Sequence, residues 1–241
     1  MTLTVASVPC LSDNYAWLLG APDGSLAICD PGEAAPIAAA IDAAGGRLGM
    51  ILLTHHHADH VAGTAELAAR YGAKVVGATA DAHRLPKLDI ALKPGESVQF
   101  GGSSGMVIDS PGHTRGHIAF HFADSGFVLC GDTLFSLGCG RLLEGTAEEM
   151  FGALKALAAL PGETLVCCGH EYTESNARFA LTVEPDNAAL RARAAEAAAQ
   201  RAAGKPTVPT TMAQERATNP FLRAPDVTTL ARIRSAKDSF R

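Results

Sequence analysis

Nine short apolar runs, bounded by Gly, Pro, Asp or Ser, crowd the first 170 residues of this chain, and that feature limits its fold more than any other. They are Leu3 to Val8, Tyr15 to Leu19, Leu26 to Cys29, Met50 to Leu53, Lys74 to Val76, Gly105 to Ile108, Ile118 to Phe122, Phe127 to Cys130 and Leu165 to Cys168. Runs this short, punctuated this way, read as strands. Between them lie three helical patterns: Ala34 to Ala44, Val61 to Tyr71, and Ala147 to Leu160. Thr146 is placed to cap the last of these, and Glu148 and Glu149 suit the positive end of its dipole. The early strands come in meanders and helices follow, so the expected fold class is α+β with mixed sheets.

After Gly169 the pattern changes. Glu171 to Leu181, the Ala-rich stretch Asn187 to Ala203, and Val227 to Lys237 read as helices, while Gly204 to Asn219 reads as loop because of Pro206, Pro209 and the nearby Pro220. The spacing predicts two domains, 1–170 and a small helical one at 171–241, within the length of 241 residues. A net charge of −5 leaves no footprint for nucleic acid or an anionic membrane surface. The N-terminus lacks the basic and apolar regions of a signal peptide, and no apolar run approaches the ~18 residues of a membrane span. A cytoplasmic monomer is expected. The six cysteines contain no C-x-x-C spacing, and four of them end strand-like runs, so buried reduced thiols are expected.

Chemistry concentrates in histidine. Four of nine His fall between His55 and His60, in Thr54-His55-His56-His57-Ala58-Asp59-His60, a loop between a strand-like run and a helix. A single loop His is ordinarily a satisfied polar side chain, but four with an Asp would be hard to solvate and orient without a metal. Strand alternation puts His55 and His57 on one side and His56 on the other, while Asp59 and His60 can turn back from the helix start. That is more ligand capacity than one tetrahedral ion needs, so two ions are the economical reading. Three further strand ends offer a Gly followed by a ligand type: Gly112-His113, Gly131-Asp132 and Gly169-His170. Taken singly each is ordinary turn chemistry, and only together with the cluster do they read as ligands.

These elements resemble, in order, the metallo-β-lactamase superfamily, whose T-H-x-H-x-D-H signature is matched by Thr54, His55, His57, Asp59 and His60. The resemblance implies an αββα sandwich with a dinuclear site at one edge. It assigns His55, His57 and His113 to one ion, Asp59, His60 and His170 to the other, and Asp132 to both. Asp30, in Asp30-Pro31-Gly32, would support a ligand His from behind. Four stretches narrow the resemblance to the glyoxalase II (hydroxyacylglutathione hydrolase) family: Gly138 to Gly145, Cys168 to Thr173, Ala217 to Phe221, and Arg234 to Asp238. The family likeness implies that Arg141, Tyr172, Arg234 and Lys237 hold glutathione. Leu143 stands where some members have a Tyr, and His56, His83, His117 and His121 are left as non-ligands.

The implied activity is hydrolysis of S-(2-hydroxyacyl)glutathione thioesters such as S-D-lactoylglutathione, giving glutathione and D-lactate in methylglyoxal detoxification. Two ions sharing a water would lower its pKa steeply, toward ~7, supplying a hydroxide nucleophile that Asp59 and Asp132 orient. A thiolate leaves with a pKa near ~8.5, so no strong general acid is needed, unlike an amide or lactam nitrogen. The His and Asp donors suit zinc first, with iron or manganese also compatible. The competing readings are a lactonase or generic thioesterase, a persulfide dioxygenase using one iron, and a non-catalytic metal-binding interaction protein.

Overall fold

A computed structural model of the chain describes residues 2–240. Its contacts divide it into two compact units: one runs to Asp109 and adds Gly116–Gly131, and the other takes Ser110–Arg115 and the chain from Asp132 onward.

Among its described residues the first unit holds ten strands and three α-helices. Strands β1 (Thr4–Cys10), β2 (Asn14–Gly20) and β3 (Leu26–Cys29) form an antiparallel meander, with Thr4 opposite Gly20 and Cys10 opposite Asn14 in its first hairpin. Helix α1 (Ala34–Ala43) then carries the chain over to β4 (Leu48–Leu52), which runs parallel to β3. A parallel neighbour requires such a crossover, whereas a meander does not. Helices α2 (Ala58–Val61) and α3 (Thr64–Tyr71) make the next crossover, to β5 (Lys74–Ala78), and β6 (Ile90–Leu92) completes the sheet in the order β1 to β6. Ile37, Ala38 and Ile41 of α1 and Leu67 of α3 pack with Val8, Ala16, Ile28, Ile51 and Val75 in one apolar cluster. This side of the sheet is therefore covered by helices.

The rest of the unit is an antiparallel meander: β7 (Ser97–Phe100), β8 (Ser103–Asp109), β9 (Ile118–Phe122) and β10 (Phe127–Gly131). In β8 the residues alternate, Val107 buried and Met106 exposed, so one of its faces is solvated. Strands β9 and β10 are buried throughout.

The second unit contains the short hairpin β11 (Leu134–Phe135) and β12 (Gly138–Cys139), then α4 (Ala147–Ala158) and β13 (Leu165–Cys168). The Thr146 cap is a full capping box: its Oγ1 accepts from Glu149 N at 3.2 Å, while Glu149 Oε2 accepts from Thr146 N at 2.7 Å. Helices α5 (Thr173–Val183) and α6 (Ala188–Ala202) follow. The stretch from Gly204 to Asn219 departs from the expected loop. It contains β14 (Thr210–Thr211), paired with β13, and helix α7 (Met212–Thr218). The flanking prolines conceal it: α7 is only seven residues long, capped by Thr211, and Pro220 sits at the first position of α8 (Pro220–Arg223), where a missing N–H costs nothing. Helix α9 (Val227–Asp238) is capped by Asp226. All six cysteines are buried and unbridged. Among the described residues no helix is long and apolar enough to cross a membrane.

Candidate active site

In the first unit the chain leaves the buried end of β4 at Leu52, and the His-rich segment leads through a short loop into α2 at Ala58. His57 is the extended N-cap residue, Asp59 and His60 lie in the first turn, and the helix expected from Val61 begins three residues earlier. The helical pattern is then broken at Gly63, whose N–H donates to Pro31 O at 2.8 Å. Gly32 faces the same segment so closely that a Cβ there would lie 2.0 Å from Asp59 O. The Asp30-Pro31-Gly32 turn is therefore fitted against the ligand helix, and Asp30 takes a left-handed φ of 51° within it.

Asp30 organises the histidines. Its Oδ1 accepts from Thr54 N at 2.8 Å, and its Oδ2 accepts from Thr54 Oγ1 at 2.6 Å and lies 3.1 Å from His60 Nδ1. Because the Thr54 hydroxyl proton goes to Asp30, Thr54 Oγ1 is an acceptor for His55 Nδ1, 3.0 Å away. This network assigns the proton to Nδ1 on both His55 and His60, so each ring presents the lone pair of Nε2. His55 Nε2 lies 3.1 Å from His57 Nδ1, and His60 Nε2 lies 3.5 Å from Asp59 Oδ2.

The second unit repeats this logic. His113, in the loop after β8, has Nδ1 2.9 Å from Arg141 O, which again fixes the proton on Nδ1. Its Nε2 is 3.5 Å from Asp132 Oδ2, and His170 Nε2 is 3.3 Å from the same oxygen. Asp132 follows β10, and His170 follows β13 by two residues. All three side chains are buried.

Within each unit, then, ring nitrogens approach carboxylate oxygens at 3.3 to 3.5 Å, His60 toward Asp59 and His113 and His170 toward Asp132. His55, His60 and His113 each have Nδ1 held, which turns Nε2 toward these groups. Imidazoles oriented in this way, together with carboxylates, form the donor set that a divalent transition metal takes. The residues present fit such ions.

A cavity of about 510 Å³ opens in the second unit, with His113 and Asp132 at its wall together with Arg141, Tyr172, Arg234 and Lys237. Tyr172 is stacked on His170, centroids 4.6 Å apart and planes within 5°. Arg141 is 71% exposed, whereas Arg234 is buried and already donates to Cys139 O at 2.7 Å and Asp238 Oδ1 at 2.9 Å. Lys237 Nζ donates to Ser175 O and Oγ at 3.3 and 3.2 Å. Burial, and then the neighbouring Arg234, Arg178 and Arg141, lower the Lys237 pKa from the ordinary lysine value. Leu143 is exposed. Cys139 also lines the cavity, but burial pushes its thiol up to about 11, so it is neutral at pH 7 and no nucleophile.

One residue escaped the sequence reading, and two histidines expected to be non-ligands have other partners. Asn14 donates to Asp59 Oδ2 at 3.0 Å and to Asp59 O at 3.2 Å, across 45 residues and with no motif to flag it. His117, a non-ligand by expectation, stacks on His55 with centroids 4.8 Å apart. His56 lies 3.2 Å from the buried Asp81 carboxylate, which Arg84 also holds.

Comparison with known proteins returns two families. The family described as the metallo-beta-lactamase superfamily matches residues 12–170, and that described as hydroxyacylglutathione hydrolase C-terminus matches residues 171–240. A relative from Acidiphilium cryptum, named hydroxyacylglutathione hydrolase, is 57% identical over 237 residues, 98% of this chain and 97% of its own. One of the same name from Methylococcus capsulatus is 51% identical over 254 residues, 99% of each. Among solved structures, ETHE1 from Myxococcus xanthus shares the fold with a TM-score of 0.71 at 23% identity, covering 98% of this chain and 90% of that one. TTHA1623, solved in a di-iron-bound form, gives a TM-score of 0.57 at 29% identity over 69% of this chain and 91% of its own. The α+β fold is thus of the metallo-β-lactamase type, with a helical C-terminal region.

Proposed function

This chain belongs to the hydroxyacylglutathione hydrolases of the metallo-beta-lactamase superfamily and is a metal-dependent hydrolase of glutathione thioesters; from that premise we propose how its residues divide the work. Two divalent ions are held per chain, one by His55, His57 and His113 and the other by Asp59, His60 and His170, with Asp132 shared. Zinc is the first choice for these donors, and iron or manganese also suits them; TTHA1623 holds two irons. When bound, the ions supply a nucleophile from water at neutral pH and polarise the thioester carbonyl.

The chain's own residues do the rest. Asp30 and Thr54 fix the tautomers of His55 and His60, and the Arg141 carbonyl fixes that of His113. Arg141, Arg234 and Lys237 meet the carboxylates of glutathione, and Tyr172 packs beside the peptide. A departing thiolate needs no proton donor, which suits a cavity whose lining thiol is neutral and whose carboxylates are committed to ligation. The two family matches meet at residues 170 and 171, which supports assigning chemistry to 1–170 and the glutathione contacts other than Arg141 to 171–241. The favoured substrate is S-D-lactoylglutathione, and the monomeric, cytoplasmic form is the one expected to act.

One observation carries this reading: a single cavity combines candidate ligands with three cations, a shape for a substrate whose reacting end meets metal and whose anionic tail meets Arg and Lys. The test is hydrolysis of S-D-lactoylglutathione by purified protein, with metal analysis alongside. Turnover that accompanies about two ions per chain and disappears with chelator supports it. Full turnover by metal-free protein, or two ions without turnover, removes it.

A further inference from the structure

The turn joining β11 to β12 has side chains on the main chain of five consecutive residues. Asn219 Nδ2 donates to Phe135 O at 3.1 Å and to Gly138 O at 3.0 Å. Asn176 Nδ2 donates to Ser136 O at 3.0 Å, and Arg234 Nη1 donates to Cys139 O at 2.7 Å. Leu137 N donates to Glu215 Oε2 at 2.9 Å. All four side chains come from the C-terminal helices or their caps, 40 to 95 residues away in sequence.

The turn needs this grip. Leu137 has φ of 59°, a left-handed conformation that a branched apolar residue adopts only when its surroundings impose it. Its side chain is buried against Ala177, Ala180 and Leu190, and a Cβ at Gly138 would lie 2.5 Å from Asn176 Nδ2. Glu215 is wholly buried: Oε1 accepts from Thr210 Oγ1 at 2.8 Å, and Oε2 also accepts from Asn219 Nδ2 at 3.1 Å. Burial raises its pKa above the usual carboxylate range. A buried carboxylate with no part in substrate chemistry is costly unless its hydrogen bonds hold something in place.

We infer that Glu215, Asn219 and Asn176 are positioning residues for the substrate cavity, fixing the left-handed β11–β12 turn that sets Phe135, Cys139 and Arg141 on its wall. The C-terminal helices thus govern binding through this hairpin as well as through their own cations. The inference rests on reading the cavity as the glutathione site.

The test uses Glu215→Gln and Asn219→Asp in the metal-loaded protein, with Lys237→Ala as the control for the glutathione reading. Asn219→Asp keeps the oxygen that caps α8 while removing both donors to the turn. Expected is a rise of about tenfold in KM for S-D-lactoylglutathione, with kcat for a small neutral thioester and metal content unchanged. Amide exchange of the 134–141 peptide should accelerate about tenfold or more, while the peptides of β1 to β6 keep their protection. A merely structural role would lower kcat for both substrates and leave KM alone. Unchanged KM and exchange in both variants, with KM raised by Lys237→Ala, overturns the inference and spares the glutathione reading. If Lys237→Ala also leaves KM unchanged, the cavity is not the glutathione site and both fall.

Discussion

Replacing Lys237 with Ala separates binding from chemistry in this chain. Its ammonium makes two hydrogen bonds to Ser175 and lies 5.6 Å from the ring centroids of both Phe179 and Phe240. Arg234, Arg178 and Arg141 all act on it unfavourably, against a single favourable Asp238. A cation kept among cations without a full counter-charge suits an anionic ligand. A hydrogen bond to a charged group contributes ~1.5–3 kcal/mol, and partial exposure reduces that to about 1–2 kcal/mol. The expected effect is a rise of roughly 5- to 30-fold in KM for S-D-lactoylglutathione. Because the contact is remote from the scissile carbonyl it contributes uniformly, so kcat should hold. Burial favours the neutral amine, so the charge is lost at lower pH than for an ordinary lysine, near ~10.4. The wild-type KM should therefore climb with rising pH before that value, and Lys237→Arg should flatten the climb. Steady-state kinetics on the glutathione thioester and on a small neutral thioester, across pH, decide it. An unchanged KM, or equal loss of kcat on both substrates, refutes the reasoning.

Two other outcomes follow from the proposed ligand division, and a third from the cap of α4. Asp59→Ala should leave at most one tightly bound ion per chain by metal analysis; two retained ions with full activity would end the dinuclear reading. Asp132→Ala should reduce kcat more than His170→Ala when both are measured at known metal occupancy, since Asp132 Oδ2 lies beside both His113 and His170. Thr146→Ala should cost about 1 kcal/mol, lowering Tm by roughly 2–4 °C in a thermal melt with kcat intact. A change in kcat instead would tie α4 to the chemistry.

The fold and half of the candidate site were legible because their signals are local. Short punctuated runs specify strands whatever they pair with, and His55 to His60 announce a metal because four imidazoles and a carboxylate in six residues have few other uses. The capping box at Thr146 and Glu149 is likewise complete within four residues. His113, Asp132 and His170 needed family likeness, since a Gly before a polar residue at a strand end is also ordinary turn chemistry.

What only the tertiary structure decided is which side chains hold those residues in place. Asp30 reaches Thr54 across 24 residues, Asn14 reaches Asp59 across 45, and Glu215 and Asn219 reach the β11–β12 turn across 78 and 84. Of these partners only Asp30 was expected, from the family likeness of its Asp-Pro-Gly turn; Asn14, Glu215 and Asn219 have no spacing or period that would mark them, and the Glu215 region read as loop for want of a long helix. The physical reason is that a buried hydrogen bond is set by where the chain returns in space. Ligand identity is written in residue type, whereas tautomer, left-handed turn and cavity wall are written in contacts that exist only once the core has closed.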